Sequence, residues 1–197
     1  MMILSKNFLL IGLFFFTACG NTSGSASTEQ NLETVSNIIS VLKSENRDIL
    51  QAINDARAVS RDCHDGLGVV GPSRALKWSD ELYASAYEHS RDLAQSDTFS
   101  HLGSGTEFDI TGDNKGGEQS KFFERIESNG YTNYHTVGEN IAGGQKDIAE
   151  VMEAWLESPA HCTNIMNDKF EEVGVAIVVA EDTTFGIYWT QNFGAKF

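Results

Sequence analysis

The chain has 197 residues, with 28 acidic against 14 basic side chains and a net charge of -14, a balance that repels nucleic-acid phosphates and anionic lipid headgroups. Nucleic-acid binding and electrostatic docking on a membrane are therefore disfavoured, and any membrane attachment has to be covalent or inserted. Twelve Phe, five Tyr and three Trp supply enough large apolar side chains for one packed core of roughly 150 residues.

In chain order, Lys6 precedes an apolar run from Phe8 to Phe16, shorter than the ~20 residues of a membrane-spanning helix. Residues 1–18 read as an export signal. Phe16-Thr17-Ala18-Cys19-Gly20 then resembles the lipobox of bacterial lipoproteins, with Phe16 where Leu is usual. Cys19 becomes the lipidated first residue and the membrane partner; the alternative is an ordinary secretory signal cleaved near Ala18. Gly20 rather than Asp after Cys19 favours an outer-membrane or cell-surface destination. Residues 19–45 are expected to be a flexible polar tether, and 46–197 the folded, monomeric domain.

Lipidation of Cys19 leaves Cys63 and Cys162, which in an oxidising compartment form a candidate disulfide or else remain two buried free thiols. The spacing of Ile49, Leu50, Ile53 and Ala56 predicts a first helix over 47–59, followed by a Gly-rich loop ending near Pro72. Ser79 is the expected N-cap of a second helix reaching Ser96, with Leu82, Ala86, His89 and Leu93 on one face. His89 is read there as a packed structural histidine. Residues 103–118 form a long loop. A third helix through Phe122, Phe123 and Ile126 stops at Asn129-Gly130. Tyr131 to Ala142 reads as strand and loop. Asp147 and Glu150 start a fourth helix with an apolar stripe of Ile148, Val151, Met152, Trp155 and Leu156, ended by Ser158-Pro159. Alternating Val173, Val175, Ile177, Val179 and Phe185, Ile187, Trp189, Phe193 predict a buried terminal hairpin.

No Walker loop, dinucleotide glycine fingerprint, paired CxxC, HExxH or GxSxG is present, so the enzyme classes those motifs mark find no support. Six segments occur in a recognisable order: Leu76-Lys77-Trp78-Ser79-Asp80-Glu81-Leu82, Phe99-Ser100-His101, Gly138 through Gly144, Trp155 through His161, Asn164-Ile165-Met166, and Tyr188 through Phe193. Together they resemble bacterial CAP domains, the SCP-like superfamily of cysteine-rich secretory, antigen 5 and pathogenesis-related proteins.

The resemblance implies an α+β fold, a three-layer α-β-α sandwich around a mainly antiparallel sheet, with a surface cleft. In that family two histidines and two glutamates line the cleft, which here implies His101, Glu139 and His161. The fourth position is occupied by Ser158. Glu157 faces away on the helical wheel, and Glu107 or Glu118 are the substitutes the long loop offers. Cys63 and Cys162 correspond to a cysteine pair found in many bacterial members. The stretch from His101 to Arg125 is longer than in short relatives. Its Glu107, Asp109, Asp113, Asn114 and Glu118 offer oxygen ligands for Ca²⁺ but match no defined loop, and a solvated acidic loop is the simpler reading.

Two imidazoles and a carboxylate can hold Zn²⁺. In a metal-dependent hydrolase Glu139 would be the general base beside the two histidine ligands, because Ser100 lacks the strand-turn-helix elbow of an activated nucleophile. The favoured expectation is different: a non-enzymatic binding module that captures a lipid, peptide or glycan at the cell envelope.

Overall fold

The structure, a computed structural model, describes residues 45–197. The expected export signal, lipidated Cys19 and most of the tether lie outside the described residues. Helix α1 runs through residues 45–57, slightly N-terminal to the expected span. Its stripe buries Ile49, Ile53 and Ala56. Arg57, at its end, is also buried and donates to the carbonyls of Arg74 (2.7 Å), Ile165 (2.5 Å) and Asn167 (3.0 Å).

Two short strands, β1 (Arg61–Asp62) and β2 (Val69–Val70), pair antiparallel across the Gly-rich loop. Strand β3 (Lys77–Trp78) leads into α2 (Asp80–Ser96), whose N-cap is Ser79 as expected, its hydroxyl accepting from Leu82 N at 3.3 Å. The stretch 103–118 is more ordered than a loop. It contains a single helical turn, α3 (Ile110–Asp113), capped by Asp109. That carboxylate faces inward, accepting from the backbone N–H groups of Gly105 (3.2 Å), Gly112 (3.1 Å) and Ser120 (2.9 Å). It braces the segment internally as a structural group, while Asp92 and Glu88 of α2 tie the segment to the body by accepting from Ser104 and from Thr111 N.

Helix α4 (Phe122–Ser128) stops at Asn129, and Gly130 follows with φ 93°, the left-handed conformation that glycine adopts without strain. Strand β4 spans Tyr134–Gly143 and α5 Ile148–Glu157, capped by Asp147, which accepts from Glu150 N at 2.9 Å. Ser158-Pro159 ends that helix as predicted, but Pro159 also occupies the first turn of a further helix, α6 (Pro159–Met166). Proline suits that position because its missing N–H has no helical partner to lose. The terminal hairpin is present as β5 (Glu172–Val179) and β6 (Ile187–Lys196).

The main sheet has the order β3-β5-β6-β4, antiparallel except for β3 against β5. Helices cover both faces, so the expected α-β-α sandwich is the observed one. On one face α1, α5 and α6 pack Ile53, Val151, Trp155 and Ile165 against Val173, Trp189 and Phe193. On the other, α2 and α4 bring Leu82, Leu93 and Ile126 to Ile141, Val178, Tyr188 and Tyr131. Alternate residues of β5 therefore serve different layers. Gly174 faces α2, where a Cβ would sit 2.1 Å from the Tyr83 nitrogen; only a glycine lets the helix approach the sheet this closely.

Cys63 and Cys162 are disulfide-bonded, with Cα atoms 5.5 Å apart. The bridge ties the β1–β2 loop to α6 and closes a separation of 99 residues, a long loop whose closure restricts the unfolded chain. Cys63→Ser with Cys162→Ser is expected to lower the unfolding free energy by about 2–4 kcal/mol, read from urea denaturation. Free-thiol labelling of both cysteines in the native wild type would overturn the bridge.

Candidate functional site: a buried carboxylate beneath a surface histidine

Strand β4 alternates its side chains between the two helical layers. Asn140 faces α6, donating to His161 O at 3.2 Å and to Gln191 Oε1 at 2.9 Å. Glu139 faces α2 and α4, with its side chain only 1 % exposed. An isolated carboxylate there would be costly, and four donor contacts meet it.

His101 Nδ1 donates to Oε1 at 2.9 Å, and Arg125 Nη2 reaches Oε1 at 3.2 Å and Oε2 at 2.9 Å. Asn192 stands opposite Glu139 in the β4–β6 register. With its amide oriented to suit its neighbours, it donates to Oε2 at 3.3 Å and accepts from Ser85 Oγ (3.1 Å) and Ala86 N (3.2 Å). Arg125 Nη2 has two hydrogens and also serves His101 O, so one of them is shared between the two carboxylate oxygens, and both oxygens are engaged.

Arg125 is 1 % exposed and is placed by α4 so that its second amino group donates to Ser120 O (3.1 Å) and Ser120 Oγ (3.0 Å). Nη2 also donates to His101 O at 3.0 Å, holding the backbone of the histidine whose ring meets Glu139. His89, from α2, lies 3.9 Å from Glu139 Oε1 and donates through Nε2 to Ser100 O at 2.9 Å. Its Nδ1 has no partner among the described residues, an arrangement suited to a lone pair rather than a second N–H. The reading of His89 as a packed histidine is correct, and the residue also walls the cluster.

Burial by itself would push the Glu139 carboxyl up. The positive charges that face it, His89 when protonated and the Arg125 guanidinium, together with the His101 hydrogen bond, overcome this and hold it below the ordinary carboxylate value. Burial pushes His89 down to about 4 in spite of the neighbouring carboxylate, leaving a neutral ring at pH 7. His161 is lowered by burial first and by the charge of His101 second.

Of the three residues the sequence nominated, the structure joins His101 to Glu139. His161, in α6, lies within electrostatic range of His101, but no hydrogen bond links its ring to either residue. Half of the His101 side chain is exposed, so the surface above Glu139 is an imidazole rather than a carboxylate. Ser158 leaves the fourth position without a carboxylate, and Glu107, Glu118 and Glu157 are exposed and absent from the cluster. The basic partner missed by sequence reasoning is Arg125. Its one visible signal was a charged residue beside Ile126 on a short apolar helix.

The expected Zn²⁺ site can be tested against these contacts. Glu139 cannot enter a coordination sphere without giving up donors, and the Arg125 guanidinium would face the ion. Among the described residues, no group of three or more His, Cys, Asp or Glu side chains is arranged to hold a metal. The nominated trio therefore does not fit Zn²⁺ with Glu139 as a ligand.

Residues 50–193 match the family described as Cysteine-rich secretory protein family, CAP. The chain belongs to this family. Among curated proteins it is similar to Bacillus subtilis YkwD, 34% identical over 125 residues, covering 62% of this chain and 40% of that protein. Among solved structures it resembles an extracellular SCP-domain protein of Bacillus anthracis, with TM-score 0.57 and 22% identity over 78% of this chain and 41% of that one. It also resembles an outer surface protein of Borrelia burgdorferi, with TM-score 0.50 and 23% identity over 64% and 81% of the respective chains. These structural likenesses bear on the fold. The CAP domain here thus spans about two fifths of the length of YkwD and of the Bacillus anthracis protein. Among the described residues no helix is long and apolar enough to cross a membrane.

Two measurements check the cluster. Arg125→Met leaves a buried carboxylate without its cation and is expected to cost about 3–5 kcal/mol of stability, much of it recovered by adding Glu139→Gln. A double variant no more stable than Arg125→Met would show that Arg125 acts through packing alone. The second is pH dependence. The folded-state pKa of His89 lies below its unfolded value of ~6.5, so the unfolded chain binds the extra proton. Stability is then fully present above ~6.5 and falls by about 3 kcal/mol as pH drops to 4; the depressed Glu139 acts with the same sign. His89→Gln should flatten this fall, and a flat wild-type profile between pH 7 and 4 would contradict it.

Proposed function

We propose that this CAP protein is an exported, envelope-tethered binding module without hydrolytic activity, attached through a lipid on Cys19. The observation that carries the non-enzymatic part is the buried, ion-paired Glu139. Both of its oxygens are engaged by His101, Arg125 and Asn192 and its side chain is 1 % exposed, which leaves it sealed from the solvent water a general base would activate. What the site offers to solvent is the outer edge of His101 and the half-buried His161, beside exposed Phe99 and Leu102. Phe99 packs on Phe185, with centroids 4.8 Å apart. Imidazole nitrogens next to exposed aromatic and aliphatic side chains suit capture of a lipid, peptide or glycan whose polar group meets the histidines and whose apolar part meets the rings. Export is supported by the signal-like residues 1–18 and by relatives described as extracellular or as an outer surface protein.

The full chain purified from membranes should carry a ligand detectable by native mass spectrometry, and His101→Ala with His161→Ala should lose it while keeping its fold. Peptide hydrolysis should stay at blank level with and without added Zn²⁺ or Ca²⁺. Metal-dependent turnover abolished by Glu139→Gln would replace this reading with the hydrolase. Separately, Cys19→Ser should move the protein out of the membrane fraction; unchanged fractionation and mobility would refute the anchor.

A further inference from the structure

The stretch between His101 and Arg125 builds a second concavity that the Glu139 cluster does not use. Residues of α3 stand against the outer side of α2, and with Asn129 at the end of α4 they enclose a pocket of ≈ 480 Å³, within the range of small-molecule sites. One rim is aromatic. The rings of Tyr83 and Tyr87, one helical turn apart, stack with centroids 6.4 Å apart and planes 24° apart, and Tyr87 is about half exposed.

The rest of the lining is polar and held in place. Glu88 is 8 % exposed; it accepts from Thr111 N at 2.8 Å through Oε1 and from Asn129 Nδ2 at 2.6 Å through Oε2. Each oxygen keeps acceptor capacity. Thr111 is buried in the pocket wall, and its hydroxyl has no hydrogen-bond partner among the described residues, an unusual cost for a native structure. Asn114 and Arg91 are exposed at the mouth.

This lining selects a ligand class by its charge and shape. One carboxylate and one guanidinium balance each other, so neither a phosphate nor a cation gains net attraction. A purely apolar ligand would strip water from Glu88, Asn114 and Arg91 without replacing their hydrogen bonds. A pyranose ring has what the pocket lacks: a C–H face that lies on a tyrosine ring and a rim of hydroxyls that both donate and accept. We propose that the pocket between α2, α3 and the end of α4 is a carbohydrate site, taking a neutral hexose or N-acetylhexosamine ring stacked on Tyr87, with its hydroxyl or acetamido groups bonded to Asn114, Arg91 and the exposed edge of Glu88. This site is separate from the histidine surface and stands without the reading proposed for it.

Calorimetry on the full chain with cellotriose, chitotriose and maltotriose, and with inorganic phosphate as the anionic probe, tests it. At least one trisaccharide should bind saturably. Tyr87→Ala should weaken that binding about tenfold or more, the equivalent of one stacking contact, whereas Tyr87→Phe should keep it within about threefold because the ring, not its hydroxyl, makes the stack. Asn114→Ala should also weaken it. Both side chains are exposed, so the fold should survive, which circular dichroism checks, and Glu153→Gln on the distant face of α5 should bind as wild type does. The proposal is overturned if no trisaccharide binds the wild type, if binding survives both alanine changes, or if only phosphate binds.

Discussion

The structure is organised around one buried ion pair, Arg125 with Glu139, both about 1 % exposed. Removing either charge from water is expensive, and that cost is offset by the pair's mutual attraction and by local hydrogen bonds to all of its polar atoms but Arg125 Nε, which has no partner among the described residues. That requirement reaches through the fold. Glu139 needs β4 in register with β6 so that Asn192 stands opposite it, and Arg125 needs Ser120 and the carbonyl of His101. The segment 103–118 closes beside the α2/α4 layer, held there by Asp92 and Glu88 of α2 and braced internally by Asp109.

The same constraint separates two faces of the site. Beneath the surface is a charge-paired polar cluster that positions the ring and the backbone of His101. Above it are imidazoles and exposed aromatic side chains. Because the carboxylate is engaged internally, what the site presents at the surface is imidazole rather than carboxylate. His161 approaches from the other helical layer through α6, whose position depends on the Cys63–Cys162 bridge and on Asn140 and Asn164 holding the His161 and Glu139 carbonyls. The site is thus assembled from both layers across the edge of the sheet.

Membership of the family accounts for the sandwich and for the order of the sequence segments, while the departures of this chain lie where it makes its own surface. A serine replaces the expected carboxylate after α5. The segment 103–118 carries α3 and a concavity beside the tyrosines of α2. Neither Ser158 nor any residue of α3 belongs to the hydrophobic core, as expected when a rigid scaffold carries varied loops.

The sequence by itself determined the elements whose signals are local. Ser79 and Asp147 cap their helices because a side-chain oxygen satisfies a free N–H at the helix start. Asn129-Gly130 stops α4 because glycine adopts positive φ without strain, and the alternation in β5 and β6 marks a sheet buried on both faces. Residues His101 and Glu139 were legible because their segments resemble a known family. Tertiary structure alone decided the rest. The four residues of α3 are too few to show a period, and Pro159 reads equally as the end of one helix and the start of the next. The parallel pairing of β3 rests on contacts with β5 almost a hundred positions along the chain. The partner of Glu139 comes from another element, 14 residues away, and burial of both charges follows only from how two layers close. A charged residue looks the same in a sequence whether it is solvated or sealed against its counterion, so the burial of Glu139 against Arg125 was invisible until the chain folded.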